Sequence, residues 1–327
     1  MRGAVLAIAA LCGAQATIAQ TALQVEDAQV QNADEAQGAA DLPAMSPGGL
    51  PEGSVGGMGD VNLYPRRVVL SGSDRSASVG LYNRAGTSGE YDISISDMVM
   101  MPDGRLVELA AVTDPALAGK VQVASHLLRW SPRKVVLPAN EAQLVRIMVR
   151  VPADLPPGEY RSHFSAVSVP PAGEGLTIEQ ATGGQEGGVG VQILPRFGIS
   201  IPVIVRVGET SASVGLQDLA LLRGAMAAPG TAPGMAQGTT LGLTITREGT
   251  RSVFGNIAVM APGSKVPVAQ IKGIGVYTEL AQRTIQIPID PKADPAVYAP
   301  GAKLTVIYTD DDYAPGQILA KADLSVR

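Results

Sequence analysis

The sequence predicts an all-β protein of two β-sandwich domains, and three observations carry the prediction. Short runs rich in β-branched residues are separated by turn signals at spacings of about 8–15 residues, with no long helical period between them. Glycine and proline are abundant, at 38 and 24 of 327 residues, while aromatic residues make up only 4%, a composition of many turns rather than long helices. One stretch, residues 189–207, alternates apolar and small or polar residues as a strand with one buried face does. A length of 327 residues fits two domains.

The N-terminus reads as a secretory signal. Arg2 supplies the positive region, Ala4 to Leu11 the short apolar core, and Thr17-Ile18-Ala19 a cleavage site before Gln20, with Ala14-Gln15-Ala16 as the alternative. The apolar run is too short for a membrane span. Cys12, the only cysteine, lies inside it, so the mature chain has neither thiol nor disulfide although it enters an oxidising compartment. Its domains must be held by their cores alone. Residues 20–60 read as a disordered, acidic and then Gly-rich tether with little to bury.

Order is expected from Val61. Val68-Val69-Leu70 is a strand closed by Ser71-Gly72, and Ser76 to Tyr82 is a second that ends at Asn83. Tyr91, Ile93 and Ile95 form one apolar face, and Pro102-Asp103-Gly104 is a strong turn. Leu127 to Arg133, Val135 to Leu137, Leu144 to Val151 and Tyr160 to Val169 follow as strands. Pro138-Ala139-Asn140 and Pro156-Pro157-Gly158 supply turns between them. Residues 170–188 form a long Gly-, Glu- and Gln-rich loop.

The loop leads into the alternating run: Val189, Val191, Ile193, Pro195, Phe197, Ile199, Ile201, Val203, Val205 and Val207 share one face, with Leu194 and Ile204 as the apolar exceptions on the other. At roughly 3.3 Å per residue it would extend about 60 Å, several times an ordinary strand of about 17–20 Å. One sandwich cannot cover all of that face. Phe197 to Val207 can be a core strand, whereas Val189 to Ile193 offers its apolar row to another domain or another chain. Residues 208–327 then carry a second set of strands: 214–222, 241–246, 253–260, 266–277, 284–289, 304–308 and 318–326. A flexible Ala-, Pro-, Gly- and Met-rich insert at 224–238 interrupts them.

Several function classes find no support. The net charge of −5 argues against a nucleic-acid surface. The two histidines, His126 and His163, lack metal-ligand spacing, and neither a nucleophile elbow nor a phosphate loop occurs. His163 lies in a strand and reads as structural. Asp310-Asp311-Asp312 superficially suggests Ca²⁺, but Tyr313-Ala314-Pro315-Gly316 behind it reads as a turn. No enzyme activity, cofactor or metal is expected.

Residues 61–207 resemble the N-terminal immunoglobulin-like domain of periplasmic pilus-assembly chaperones, the PapD-like family. Four pieces carry the resemblance: 65–72 (PRRVVLSG) followed by 76–83 (SASVGLYN); 132–140 (PRKVVLPAN) with 143–147 (QLVRI); 155–164 (LPPGEYRSHF); and a long loop entering an alternating strand that ends the domain. Residues 208–327 are similar only in architecture and lack the family's Asn-Pro-Thr-Pro stretch. The resemblance implies two immunoglobulin-like sandwiches in an L or boomerang. It also implies a periplasmic chaperone that lends its last N-domain strand to pilus or fimbrial subunits lacking one of their own, and passes them to an outer-membrane usher-type platform. Such strand addition combines backbone hydrogen bonds with side chains that fill a groove. Val189, Val191 and Ile193 would be the donors, extended by Phe197 and Ile199.

The family also holds the subunit's terminal carboxylate with a basic pair in the cleft between domains. Its first member falls on Arg67, with Arg66 on the opposite face. Its second, a lysine late in the last strand, falls on Pro202, with Arg196 and Arg206 as the nearest basic residues. Either Arg206 substitutes or the client docks differently. Where the family often has an acidic residue before Ser162, this chain has Arg161. An exposed apolar strand could also cap itself by forming a homodimer. The alternative reading is a structural or adhesive β-sandwich protein of the cell surface. Residues 20–60 carry no alternating apolar run of the kind a fibre subunit would need.

Overall fold

The computed structural model describes residues 50–51, 53–56, 59–170, 196–223 and 239–327, which lie in one compact unit. Two β-sandwiches follow one another along the chain. The strands of the first part are Val55–Gly56 (β1), Val61–Tyr64 (β2), Val68–Leu70 (β3), Ser76–Asn83 (β4), Gly89–Ser96 (β5), Met98–Met100 (β6), Leu106–Glu108 (β7), Leu128–Ser131 (β8), Lys134–Leu137 (β9), Ala142–Val149 (β10), Gly158–Val169 (β11) and Gly198–Val207 (β12). Those of the second are Ala212–Arg223 (β13), Thr239–Gly249 (β14), Val253–Met260 (β15), Ala269–Val276 (β16), Gln282–Pro288 (β17), Lys303–Asp310 (β18) and Ile318–Ser325 (β19). Among the described residues no helix is long and apolar enough to cross a membrane.

The first sandwich pairs a sheet ordered β1-β2-β4-β10-β8 with one ordered β3-β12-β11-β5-β9. Stripped of β1 and the short edge pieces, this is the immunoglobulin arrangement of two antiparallel sheets. Its first strand changes sheets: β2 lies antiparallel on β4, and β3, a few residues later, lies parallel on β12. Pairing starts earlier than the sequence led us to expect, because Val55 and Gly56 already lie opposite Leu63 and Asn62. Leu63, Val79, Leu81, Val145 and Ile147 from one sheet meet Ile93, Phe164, Ile201, Val203 and Val205 from the other, all at or near zero exposure. Burying each side chain of this kind contributes about 1.5–3 kcal/mol, which is how a chain without disulfides holds together. At the start of β11 the Tyr160 hydroxyl donates to the Pro156 carbonyl at 3.0 Å. This is the tyrosine corner of immunoglobulin-like folds.

Asn83 shows how a turn residue becomes part of a core. It is fully buried. Its amide nitrogen donates to the carbonyls of Thr87, Leu137 and Pro138 at 2.8, 3.2 and 3.0 Å, and its side-chain oxygen accepts from the Ala85 N–H at 2.9 Å. One amide thus ties the β4–β5 turn to the end of β9. Asn83→Ala should lower stability by about 1–3 kcal/mol, because it strands buried carbonyls. The drop should appear as an earlier urea midpoint, and an unmoved midpoint would show the turn to be held by other means.

In the second sandwich β13-β14-β17 faces β16-β15-β18-β19. Leu243, Ile245, Ile285 and Ile287 pack against Ile257, Val259, Val276, Val306 and Tyr308. The two sandwiches are not independent. The β6–β7 hairpin inserts Met100 into the second core, and Ile204 of β12 joins it there, with Val69 of β3 packed alongside. That explains the exception in the alternation: Ile204 points away from the first core because its other face is covered by the second. Arg146 of β10 reaches across to β4, where it donates to the Ser76 hydroxyl at 3.4 Å.

Candidate functional site

The site begins with β12. Its inner face (Ile199, Ile201, Val203, Val205) is buried, as alternation requires. On one edge β12 pairs antiparallel with β11 along its full length. On the other it pairs only at Val203–Val205, with Val68–Leu70 of β3. Among the described residues nothing pairs with that outer edge from Gly198 to Pro202. Pro202 suits such a place, since it has no N–H to give to a neighbouring strand. Phe197, just before β12, is 40% exposed. It borders a cavity of about 200 Å³ lined also by Gly59, Asp60, Tyr91 and Ser168.

The open edge has a definite end. The lane beside β12 is filled by β3 from Val68 onward, and Arg66 and Arg67 come immediately before it. Any extended polypeptide laid along Gly198–Pro202 therefore meets these two side chains head-on. Both border a cleft of about 610 Å³ with Ser54, Pro202, Lys272 and Tyr277, in which the lining side chains with formal charge are all cationic. Arg66 lies beside Gly53 and Gly273, both at positive φ; a Cβ on either would be in ordinary van der Waals contact with its terminal nitrogens, at 3.6 and 3.7 Å. Arg67 stacks its guanidinium 4.4 Å from the centre of the Phe254 ring. It donates to the Asp311 carbonyl at 2.8 Å and pairs with the Asp311 carboxylate, while its Nε lies 3.5 Å from Asp312. Arg66 reaches Asp311 at 3.5 Å.

Behind the cleft lies a denser set of charges. Arg206 pairs with Glu159 at 3.2 Å and with Asp312. Burial alone would lower the Arg206 pKa, but the Asp312 and Glu159 carboxylates overcome it and hold the pKa above the ordinary value. Glu159 also accepts from the Ser252 N–H at 3.1 Å. Deeper still, Arg161 and Glu279 form a fork-to-fork pair at 2.8 and 3.2 Å with side chains 2% and 0% exposed. Glu279 accepts in addition from the Met100 N–H at 2.8 Å, and Arg161 stacks 3.6 Å over Tyr277. His163 sits 3.3 Å from the Tyr277 hydroxyl. Burial, with the Arg161 charge adding to it, pulls the His163 pKa down to about 3; burial pushes the Tyr277 phenol up to about 12.

The predicted site residues therefore separate. Val189, Val191 and Ile193 lie outside the described residues. Phe197 is exposed beside the open edge, whereas Ile199 is 6% exposed and packs inside its own sandwich, because the inner face of β12 is already matched by the opposing sheet. Arg67 stands at the cleft. Arg206 lies in a different set of contacts from the one expected: with two carboxylates on one guanidinium, it braces the sandwiches against each other. Arg196 points elsewhere, to Asp92 at 2.9 Å. Asp310 caps its own turn, accepting from the Asp312 and Ala314 N–H groups at 2.8 and 3.0 Å. Lys272, Asp311, Asp312 and Glu279 were not legible as site residues in the sequence. The only signal was that the acidic turn at 310–312 needed counter-charges.

No protein-family model matches the chain, and no curated protein matches it. Solved structures do show a likeness. The YadV chaperone covers 81% of this chain and 98% of its own, at 13% identity and a TM-score of 0.40. The CupB2 chaperone of Pseudomonas aeruginosa covers 80% and 97%, at 14% and 0.36. A complex of the SafA pilin with the SafB chaperone of Salmonella enterica covers 83% and 99%, at 15% and 0.37.

Proposed function

We propose that this protein is a periplasmic assembly chaperone for pilus or fimbrial subunits, which it binds by strand addition along β12. The observation that carries the reading is the outer edge of β12, open from Gly198 to Pro202 among the described residues and ending at a cationic cleft. A subunit that lacks a strand exposes an apolar groove and an unpaired edge, both hazards for aggregation. A partner strand running parallel to β12, in line with β3, would take up that edge with backbone hydrogen bonds. Val189, Val191 and Ile193, with Phe197, would fill the groove. The partner's terminal carboxylate would reach Arg67, with Arg66 and Lys272 beside it, in a charge-assisted contact. Lys272, from the second sandwich, would supply the second cation in place of Arg206, which the sequence offers as the substitute for the family's lysine at Pro202. Arg206 has a bracing role in this reading. The complex would form in the periplasm and be passed to an outer-membrane usher-type platform, and the unbound strand could be covered by a second copy.

The test is a periplasmic co-purification of tagged protein with and without the paired substitutions Val191→Asp and Ile193→Asp. A small β-rich partner should accompany the wild type and be lost from the variant while circular dichroism stays unchanged. A partner that persists in the variant, or none with the wild type, would favour a surface structural or adhesive protein. For the anchor, Arg67→Gln is cleaner than charge reversal, since Arg67→Glu would set a third carboxylate against Asp311 and Asp312. Arg67→Gln should reduce recovery of the partner at least tenfold.

A further inference from the structure

We propose that Asp311 is a built-in occupant of the carboxylate site at Arg66 and Arg67, and that it sets how strongly that site takes a carboxylate from outside. This rests on the reading of Arg67 as an anchor. The Asp311 side chain meets both arginines at once, through the contact with the Arg67 guanidinium and at 3.5 Å from Arg66. It offers them the same group, with the same charge and planar geometry, as a polypeptide's carboxyl end.

The contact is exchangeable for three reasons. The turn that carries Asp311 is fixed without its side chain, by Asp310 accepting from the Asp312 and Ala314 N–H groups and by the Asp311 N–H donating to the Phe254 carbonyl at 3.1 Å. Arg67 would also keep its place without the Asp311 carboxylate, because Phe254 lies beneath it and Asp312 beside its Nε. Finally, Arg66 is 39% exposed and borders the open cleft, so an incoming carboxylate can approach from that side. Replacing Asp311 by an external carboxylate leaves the number of charges at the two arginines unchanged, and the displaced aspartate can turn towards water. A site that is open only about a tenth of the time binds about tenfold more weakly than one always open. Asp311 thus keeps the cleft from holding casual anions and favours a ligand that brings strand pairing along with its carboxylate.

Sodium acetate serves as the probe. The full chain, wild type and Asp311→Asn, is titrated with it while the ¹⁵N–¹H signals of the Arg66 and Arg67 side chains are followed against matched sodium chloride. Half-saturation should come at an acetate concentration at least tenfold lower in Asp311→Asn. Equal midpoints would overturn the role of Asp311 and leave the arginines as a carboxylate site. No acetate-specific response in either protein would remove both the occupant and the anchor. The Arg206 signal reports whether the variant has kept its fold, and Asp311→Ser replaces Asp311→Asn if it has not.

Discussion

Glu279→Ala should destabilise the protein by about 3–5 kcal/mol, the loss typical of breaking a buried ion pair by removing one partner. The magnitude follows from what is left behind. Arg161 would keep its charge at 2% exposure with only the Met98 carbonyl, at 3.2 Å, and the Tyr277 ring as neighbours. The Met100 N–H would lose its acceptor as well, and with it a tie between the β6–β7 hairpin and the second sandwich. Equilibrium unfolding in urea near pH 7 measures the loss. The double replacement Arg161→Met with Glu279→Leu should cost much less than either single change, because it removes both charges from a dry site. A single-variant loss below about 1 kcal/mol would mean that water reaches Arg161 and that the pair is not isolated as described.

The second large effect is a loss of stability in acid traceable to His163. Its folded pKa, about 3, lies below the ordinary 6.5. The folded protein therefore keeps the ring neutral across that interval, while the unfolded chain takes up a proton. Stability from this source is complete above about pH 6.5 and falls as the pH drops towards 3, by about 1.4 kcal/mol per unit. Tyr277, neutral throughout with its pKa near 12, gives the ring no compensating charge, and Arg161 opposes protonation. His163→Gln lacks this titration. Between pH 7 and 4.5 the wild type should lose about 2–3 kcal/mol more than the variant. Parallel stability–pH curves would show that the imidazole can be protonated in place.

Neither effect was predictable from the chain alone, and the reason is physical. Alternation reports which face of a strand is apolar, so it identified Ile199, Ile201, Val203 and Val205 as one face. Turn chemistry placed Asn83 and Pro102-Asp103-Gly104 correctly. Both signals are local. The partners of Arg67 and Arg206 lie some 244 and 106 positions away, and an arginine in a strand looks the same whether it faces water, a client or an aspartate. Arg161 stood out as a charge where the resembling family carries the opposite one, but its acid, Glu279, follows from no spacing. Ile204 looked like a flaw in the pattern until a second core covered the outer side of β12. Val189, Val191 and Ile193, the donor residues expected from the sequence, were its most prominent feature, and they lie outside the described residues.

β12 also has a mechanical meaning. From Val203 to Val205 it is gripped on both edges, by β3 and β11, and Ile204 pins it from the side of the second sandwich. Towards Gly198 it keeps only one lateral neighbour among the described residues. It is a cantilever, clamped at the Val203–Val205 end. A pull applied near Phe197 would bring a bending moment onto the clamp, where Arg206, Glu159 and Asp312 join the sandwiches, so force exerted by a bound chain would register at the joint between the domains before it disturbed either core.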